Sequence, residues 1–187
     1  ENVPMLSISD VTLAEGTSVS GATAFNFVVT LSEPVNETVT VQVATADNGA
    51  TAASGDYTPV LPTTLTFGPG ETTKSVTVQV RQDDRVEGTE QFQVSLSAPT
   101  NATILDGAGF GTILDDDVRS VSIDDVTVTE GDSGTKTAVF TVTLSQSSPT
   151  IVSVVATTVA DTATPGSDYT TLSQSLTFAP GTTQQTF

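Results

Sequence analysis

Residues 24–31 read Ala24-Phe25-Asn26-Phe27-Val28-Val29-Thr30-Leu31. Phe25, Phe27, Val29 and Leu31 stand at every second position, with Asn26 and Thr30 among the residues between them. Successive side chains of a strand point to opposite faces, so this period predicts one buried and one wet face. Outward from this stretch the pattern repeats in Val39, Val41 and Val43, in Val76, Val78 and Val80, and in Phe92, Val94 and Leu96. Thr, Ser and Gln fill the opposite faces, as suits a pleated, half-buried surface. Turn signals separate the runs: Ser32-Glu33-Pro34, Asp47-Asn48-Gly49, Gly68-Pro69-Gly70 and Asp106-Gly107. No segment shows a helical period. About seven runs in the first ~115 residues predict an all-β domain, an antiparallel β-sandwich of immunoglobulin-like type.

The pattern then starts again. Leu6-Ser7-Ile8-Ser9-Asp10-Val11-Thr12 recurs as Val121-Ser122-Ile123-Asp124-Asp125-Val126-Thr127, and Glu15-Gly16 as Glu130-Gly131. Gly55-Asp56-Tyr57-Thr58 returns as Ser167-Asp168-Tyr169-Thr170, and Leu65-Thr66-Phe67 as Leu176-Thr177-Phe178. The period is the size of a whole domain, so the repeats are tandem beads and not turns of a solenoid. The expected organisation is a complete sandwich over residues 1–117, a short linker over 118–120, and the N-terminal part of a second sandwich over 121–187. Phe187 aligns with Val76, so the second copy is truncated and lacks its last strands. Its open apolar faces predict completion by a strand from another chain or from a segment outside these residues.

The chain of 187 residues carries 22 acidic and five basic residues, a net charge of -17. It has no histidine and no cysteine, which removes disulfides, thiol chemistry, a Ser-His-Asp triad and His/Cys zinc sites. The charge opposes nucleic acid and anionic membranes, and no run of ~18 apolar residues predicts membrane insertion. It favours cations. The N-terminal ENVPMLSISD has neither a basic nor an apolar leader segment and does not begin with Met. It reads as an excerpt or processed form of something longer, whose export signal is not in this chain.

The acids gather at run ends: Glu15, Asp47, the segment from Asp83 to Glu90, and Asp115-Asp116-Asp117. Alternate loops of an antiparallel sandwich lie at one end, which predicts that eight or nine carboxylates meet there. Neighbouring carboxylates at ~4 Å repel by roughly 1 kcal/mol even in water. A hard divalent cation removes that repulsion, and Ca²⁺ accepts six to eight oxygens in irregular geometry. Without His or Cys, zinc and copper are poorly matched. Charge balance suggests three or four ions. The spacing is not that of an EF-hand, because no loop glycine or twelfth-position glutamate follows Asp115.

These residues resemble a Calx-beta domain, the calcium-binding sandwich of sodium/calcium exchangers and many bacterial surface proteins. The resemblance is carried by the Glu15-Gly16 bend, Thr45 to Ala52, Gly55-Asp56-Tyr57, Phe67-Gly68-Pro69-Gly70, Asp83 to Glu90 and Ile113 to Asp117. It covers residues 5–117 and the first part of the second copy. It implies Ca²⁺ ligands at Glu15, Asp47, Asp83, Glu87, Glu90, Asp115, Asp116 and Asp117, with the Arg85 carbonyl as a backbone ligand. Gln82, where the most acidic members carry Asp, and Gly88-Thr89 depart from the pattern. Asp84 is expected to be a solvated neighbour. Repeat 2 keeps Glu130 and Asp161 but has lost the acidic segment and the triplet, so no complete calcium site is expected there.

The remaining residues have plainer readings. Tyr57 and Tyr169 are expected to plug loops. Asp56 and Asp168 are expected to bond backbone amides in turns. The sequons at Asn36 and Asn101 read as chance. An enzyme would need a cleft and aromatic sugar platforms, which a chain without Trp does not offer. The reading is a calcium-binding structural or adhesion module of a larger bacterial extracellular protein, with Ca²⁺ and the neighbouring repeat domains as partners. In it, Ca²⁺ stiffens the loop end and the junction between beads. The alternative is a regulatory sensor in which Ca²⁺ changes the angle between tandem domains.

Overall fold

A computed structural model describes residues 3–187, in two compact units that meet between Val118 and Arg119. Unit 1 carries nine strands: β1 (Met5–Ile8), β2 (Val11–Ala14), β3 (Ala22–Leu31), β4 (Val39–Asp47), β5 (Thr63–Phe67), β6 (Thr73–Arg81), β7 (Glu90–Thr100), β8 (Thr103–Asp106) and β9 (Ala108–Leu114). They form two sheets, ordered β6-β3-β1-β8 and β2-β9-β7-β4-β5. The alternating residues face inward: Phe25, Phe27, Val29, Val41, Val78, Phe92 and Val94 are all sealed in one core.

Nine strands replace the expected seven because the first and last runs each change sheets. The first breaks at Ser9-Asp10. The Ser9 hydroxyl there accepts the Val28 N–H at 2.9 Å, and the Asp10 carboxylate accepts the Phe110 N–H at 2.8 Å. The last run breaks at Gly107 between β8 and β9. The sandwich is also not antiparallel throughout. β1 runs parallel to β8, and β2 runs parallel to β9. Hydrophobic alternation reports which face a residue occupies but not the direction of its neighbour, so this arrangement was beyond the pattern.

Phe92 sits at the centre of the core. Its ring stacks on Tyr57 with centroids 4.6 Å apart and meets Phe25 and Phe27 at 5.8 Å. Across the ladder it faces Gly111, where a Cβ would fall 2.3 Å from the ring. A side chain at position 111 would therefore displace the ring that seats Tyr57.

Unit 2 carries five strands: β10 (Val121–Ile123), β11 (Thr141–Leu144), β12 (Val152–Thr157), β13 (Ser173–Phe178) and β14 (Gln184–Thr186). They form sheets β10-β11-β14 and β12-β13. These reproduce β1-β3-β6 and β4-β5 of unit 1; the pair Val39↔Phe67 returns as Val152↔Phe178. Counterparts of β7, β8 and β9 are absent among the described residues. The consequence is visible at residues 126–129, which match β2 in sequence yet form no strand. β2 exists by pairing with β9, and no counterpart of β9 stands among the described residues. A small core remains, built on Val142, Leu144, Leu176 and Phe178.

Candidate metal centre

Strand register assembles the acidic end of unit 1. The parallel pair ends at Ala14↔Leu114, so the next residues, Glu15 and Asp115, emerge side by side. The antiparallel pair Glu90↔Ile113 brings the start of β7 to the same end. Ala22↔Arg81 delivers the segment 82–90 there from the other sheet. Apart from Glu90, which opens β7, the carboxylates are contributed by loops, but the ladders set their meeting point.

Two groups of three carboxylates result. In the first, Glu15, Asp115 and Asp117 each offer an oxygen within 4.8 Å of the others. In the second, Asp56, Glu87 and Glu90 do the same. Asp115 ties the segments together. Its Oδ2 accepts the Glu87 N–H at 2.8 Å, and its Oδ1 accepts the Asp117 N–H at 3.0 Å. Asp116 Oδ1 accepts the Gly16 N–H at 3.0 Å, which fastens the first bend to the triplet. Gly16 has φ 96°, and Gln82 packs on it while donating to the Thr23 hydroxyl at 2.9 Å. Asp83 Oδ1 accepts the Arg85 N–H at 2.8 Å, and the Arg85 guanidinium lies 3.5 Å from Glu87.

The electrostatics record a shortage of positive charge. Glu15 is only 6% exposed. Burial first, and then the charges of Asp83, Glu87, Asp117 and Asp115, push its pKa up to about 7. Burial also raises Glu87, against the opposing pull of Arg85, and raises Glu90, with Asp56 and Glu87 adding to the effect. Asp117 is raised by burial and by Asp115 and Asp116. Its Oδ2 is buried and has no hydrogen-bond partner. A carboxylate oxygen removed from water without a donor is costly, and a metal ion supplies what is missing. The donors are all oxygen, carboxylate-rich and irregularly placed, which fits a hard divalent cation of the calcium type.

Of the expected carboxylate ligands, Asp47, Asp83 and Asp116 fall outside these groups. Asp47 is exposed, and its Oδ1 accepts the Tyr57 hydroxyl at 2.6 Å and the Ala52 N–H at 3.0 Å. These bonds hold its carboxyl below the usual range, while burial first and then the bond to Asp47 push Tyr57 up to about 12. Asp84 is exposed and joins neither group. Asp56 was read as a turn residue, and it is one: its Oδ2 accepts the Thr51 N–H at 2.7 Å and the Ser54 hydroxyl at 2.6 Å. Its place beside Glu87 and Glu90 was missed. The recurrence of Asp168 pointed only to the turn, because the turn is the part that unit 2 shares.

The Calx-beta domain family model matches residues 11–118 and again 114–187. The chain belongs to the Calx-beta domain family. Among solved structures, the apo-form Calx CBD1 domain is similar at 22% identity and TM-score 0.51, over 62% of this chain and 100% of that one. The calcium binding domain CBD12 of CALX1.1 aligns over 97% of this chain and 73% of its own, with 20% identity and TM-score 0.53. CBD12 from CALX1.2 aligns over 97% and 72%, with 22% identity and TM-score 0.52. At these identities the likeness establishes the all-β sandwich fold of this Calx-beta chain.

The second Calx-beta repeat gathers no such group of acids among the described residues. Its strand register also corrects the reading of Asp161 as the retained counterpart of Asp47. Counting from Val152, the counterpart of Val39, the Asp47 position falls on Ala160, and Asp161 stands one residue beyond it. The hydroxyl of Tyr169, the counterpart of Tyr57, is accordingly buried without a partner.

Proposed function

We propose that unit 1 is a Ca²⁺-binding module whose ligands are Glu15, Asp83, Glu87, Glu90, Asp115, Asp116 and Asp117. Asp56, grouped with Glu87 and Glu90, joins them, and Asp47 and the Arg85 carbonyl complete the set. The observation that carries this reading is the buried, unpartnered Asp117 Oδ2 beside Glu15, with both carboxyls lifted above their ordinary pKa values. A cation there replaces mutual repulsion with coordination and locks residues 82–90 to residues 115–117. Several ions are expected, given the number of carboxylates. The role is binding and not catalysis. Calorimetric titration of chelator-treated protein tests it; absence of calcium heat overturns it.

The wider role is a structural or adhesion module of a bacterial extracellular protein, in which Ca²⁺ stiffens the loop end and the junction with the next repeat. The second reading is a regulatory sensor, favoured by the likeness to calcium binding domains named CBD12. Affinity separates them: micromolar binding favours the sensor, and ~0.1–1 mM binding the stiffener. For unit 2 we propose completion by a strand from another chain along the open edge of β12. The support is β4, which pairs with both β5 and β7, whereas its counterpart β12 pairs only with β13. A groove of about 810 Å³, lined by Val128, Phe140, Val159, Tyr169 and Leu172 among others, lies open in unit 2.

A further inference from the structure

Asp47-Asn48-Gly49 ends β4, and the calcium reading uses only its aspartate. Of the chain's five asparagines, Asn48 alone precedes a glycine. Its side chain is exposed and makes no hydrogen bond among the described residues. The Gly49 N–H likewise donates to no described group, while the N–H groups of Asn48 and Ala50 on either side are bonded, to the Ala50 carbonyl at 3.4 Å and the Gln91 carbonyl at 2.8 Å. Gly49 has φ 102° and no Cβ to screen its nitrogen. The other described asparagines differ. Asn26 accepts the Thr77 hydroxyl at 2.7 Å, and Asn101 donates to the Thr38 carbonyl at 3.0 Å. Asn36 is exposed but is followed by the bulkier Glu37.

We propose that Asn48 is a site of spontaneous covalent modification, in which the Gly49 backbone nitrogen attacks the Asn48 side-chain amide. A bond forms between Gly49 N and Asn48 Cγ, and the Cγ–Nδ2 bond breaks. The Gly49 amide proton leaves with the side-chain nitrogen as ammonia, and a five-membered cyclic imide remains. Water then opens either imide carbonyl, which yields an aspartate or an isoaspartate at position 48. No electrons are transferred, and water is the only co-reactant. The product carries one more negative charge, placed beside Asp47. Unit 2 shows that the fold accepts a carboxylate at this position, because Asp161 is the register counterpart of Asn48.

The test ages the full folded chain in warm, mildly alkaline buffer and follows each asparagine by peptide mass. Conversion adds about one mass unit and creates a more acidic species on anion exchange. Asn48 is expected to convert roughly tenfold or more faster than Asn36 or Asn101, since exposed loop tips are the accessible part of the backbone. Asn48→Gln is expected to abolish the acidic species while leaving the circular dichroism spectrum unchanged. Conversion no faster than at Asn36, or conversion of Asn48 only when the chain is unfolded in urea, overturns the proposal. So does an acidic species that persists in Asn48→Gln. The step uses no metal, so its outcome is independent of the calcium reading.

Discussion

The two repeats begin with the same strands and end as different objects. Unit 1 closes its sandwich with β7, β8 and β9, and those strands also carry or position the acids. Glu90 opens β7, the triplet follows β9, and β9 is what holds β2 and therefore Glu15 in place. Unit 2 repeats β1, β3, β4, β5 and β6 with the same register, and no strand among the described residues completes its core or an acidic end. In unit 1 the gathering of the acids and the closure of the fold therefore rest on the same strands. Glu130 recurs at the first bend of unit 2, but no other acid among the described residues joins it in a group.

The sharpest way to break this comparison is hydrogen exchange at β4 and β12. β4 is paired on both edges, whereas β12 is paired on one. At low chain concentration the free-edge amides of β12 should exchange faster than those of β4 by about two orders of magnitude or more, reflecting a difference of a few kcal/mol in local opening. Raising the chain concentration should slow them, if another chain completes the edge. Protection of β12 that equals that of β4 and ignores concentration would contradict the open-edge account.

The second test uses pH in chelator. Glu15 keeps its proton up to about pH 7 in the folded unit, against an ordinary value of 4.5. Between these values the folded state binds more protons than the unfolded chain, so stability falls as pH rises through the window. For a carboxyl this well buried the loss is about 3 kcal/mol. The raised values of Glu87, Glu90 and Asp117 act with the same sign. Metal-free unit 1 should melt lower at neutral pH than at mildly acidic pH, and Ca²⁺ should remove the slope. A metal-free melting temperature that climbs over this window would contradict the buried-acid description.

A smaller effect separates the two tyrosines. Tyr57→Phe deletes the hydrogen bond to Asp47 and should destabilise unit 1 by about 1 kcal/mol. Tyr169→Phe removes a buried hydroxyl that has no partner, so it should be neutral or slightly stabilising. Equal losses in denaturant unfolding would show that the hydroxyls have equivalent surroundings.

Much of this was legible in the residues. Phe25 to Leu31 announced a strand and its inward face, and the clustering of Glu15, Asp83 to Glu90 and Asp115 to Asp117 announced one acidic end. Parallel pairing was not legible. Alternation is blind to strand direction, and the sheet changes depend on local bonds from Ser9 and Asp10. Asp56 escaped because its turn role was a sufficient explanation of its recurrence. Asp161 was read as the retained Asp47, whereas the strand register sets it at the Asn48 position, one residue farther along. The division of the acids into two groups depends on side-chain directions at a loop end, which no period encodes.

The central claim is that the acids gathered by β2, β7 and β9 bind Ca²⁺ and that unit 2 does not. Isothermal titration of chelator-treated chains decides it, comparing the parent with Asp117→Asn, Asp116→Ala, Asp84→Ala and Glu130→Gln. The account predicts saturable calcium heat in the parent, affinity weakened roughly tenfold or more in Asp117→Asn, since a charge-bearing ligand is lost, and little change in Glu130→Gln. Asp116→Ala should weaken binding more than Asp84→Ala. Absence of heat in the parent, or an Asp117→Asn chain that binds as tightly as the parent while Glu130→Gln loses binding, would contradict it.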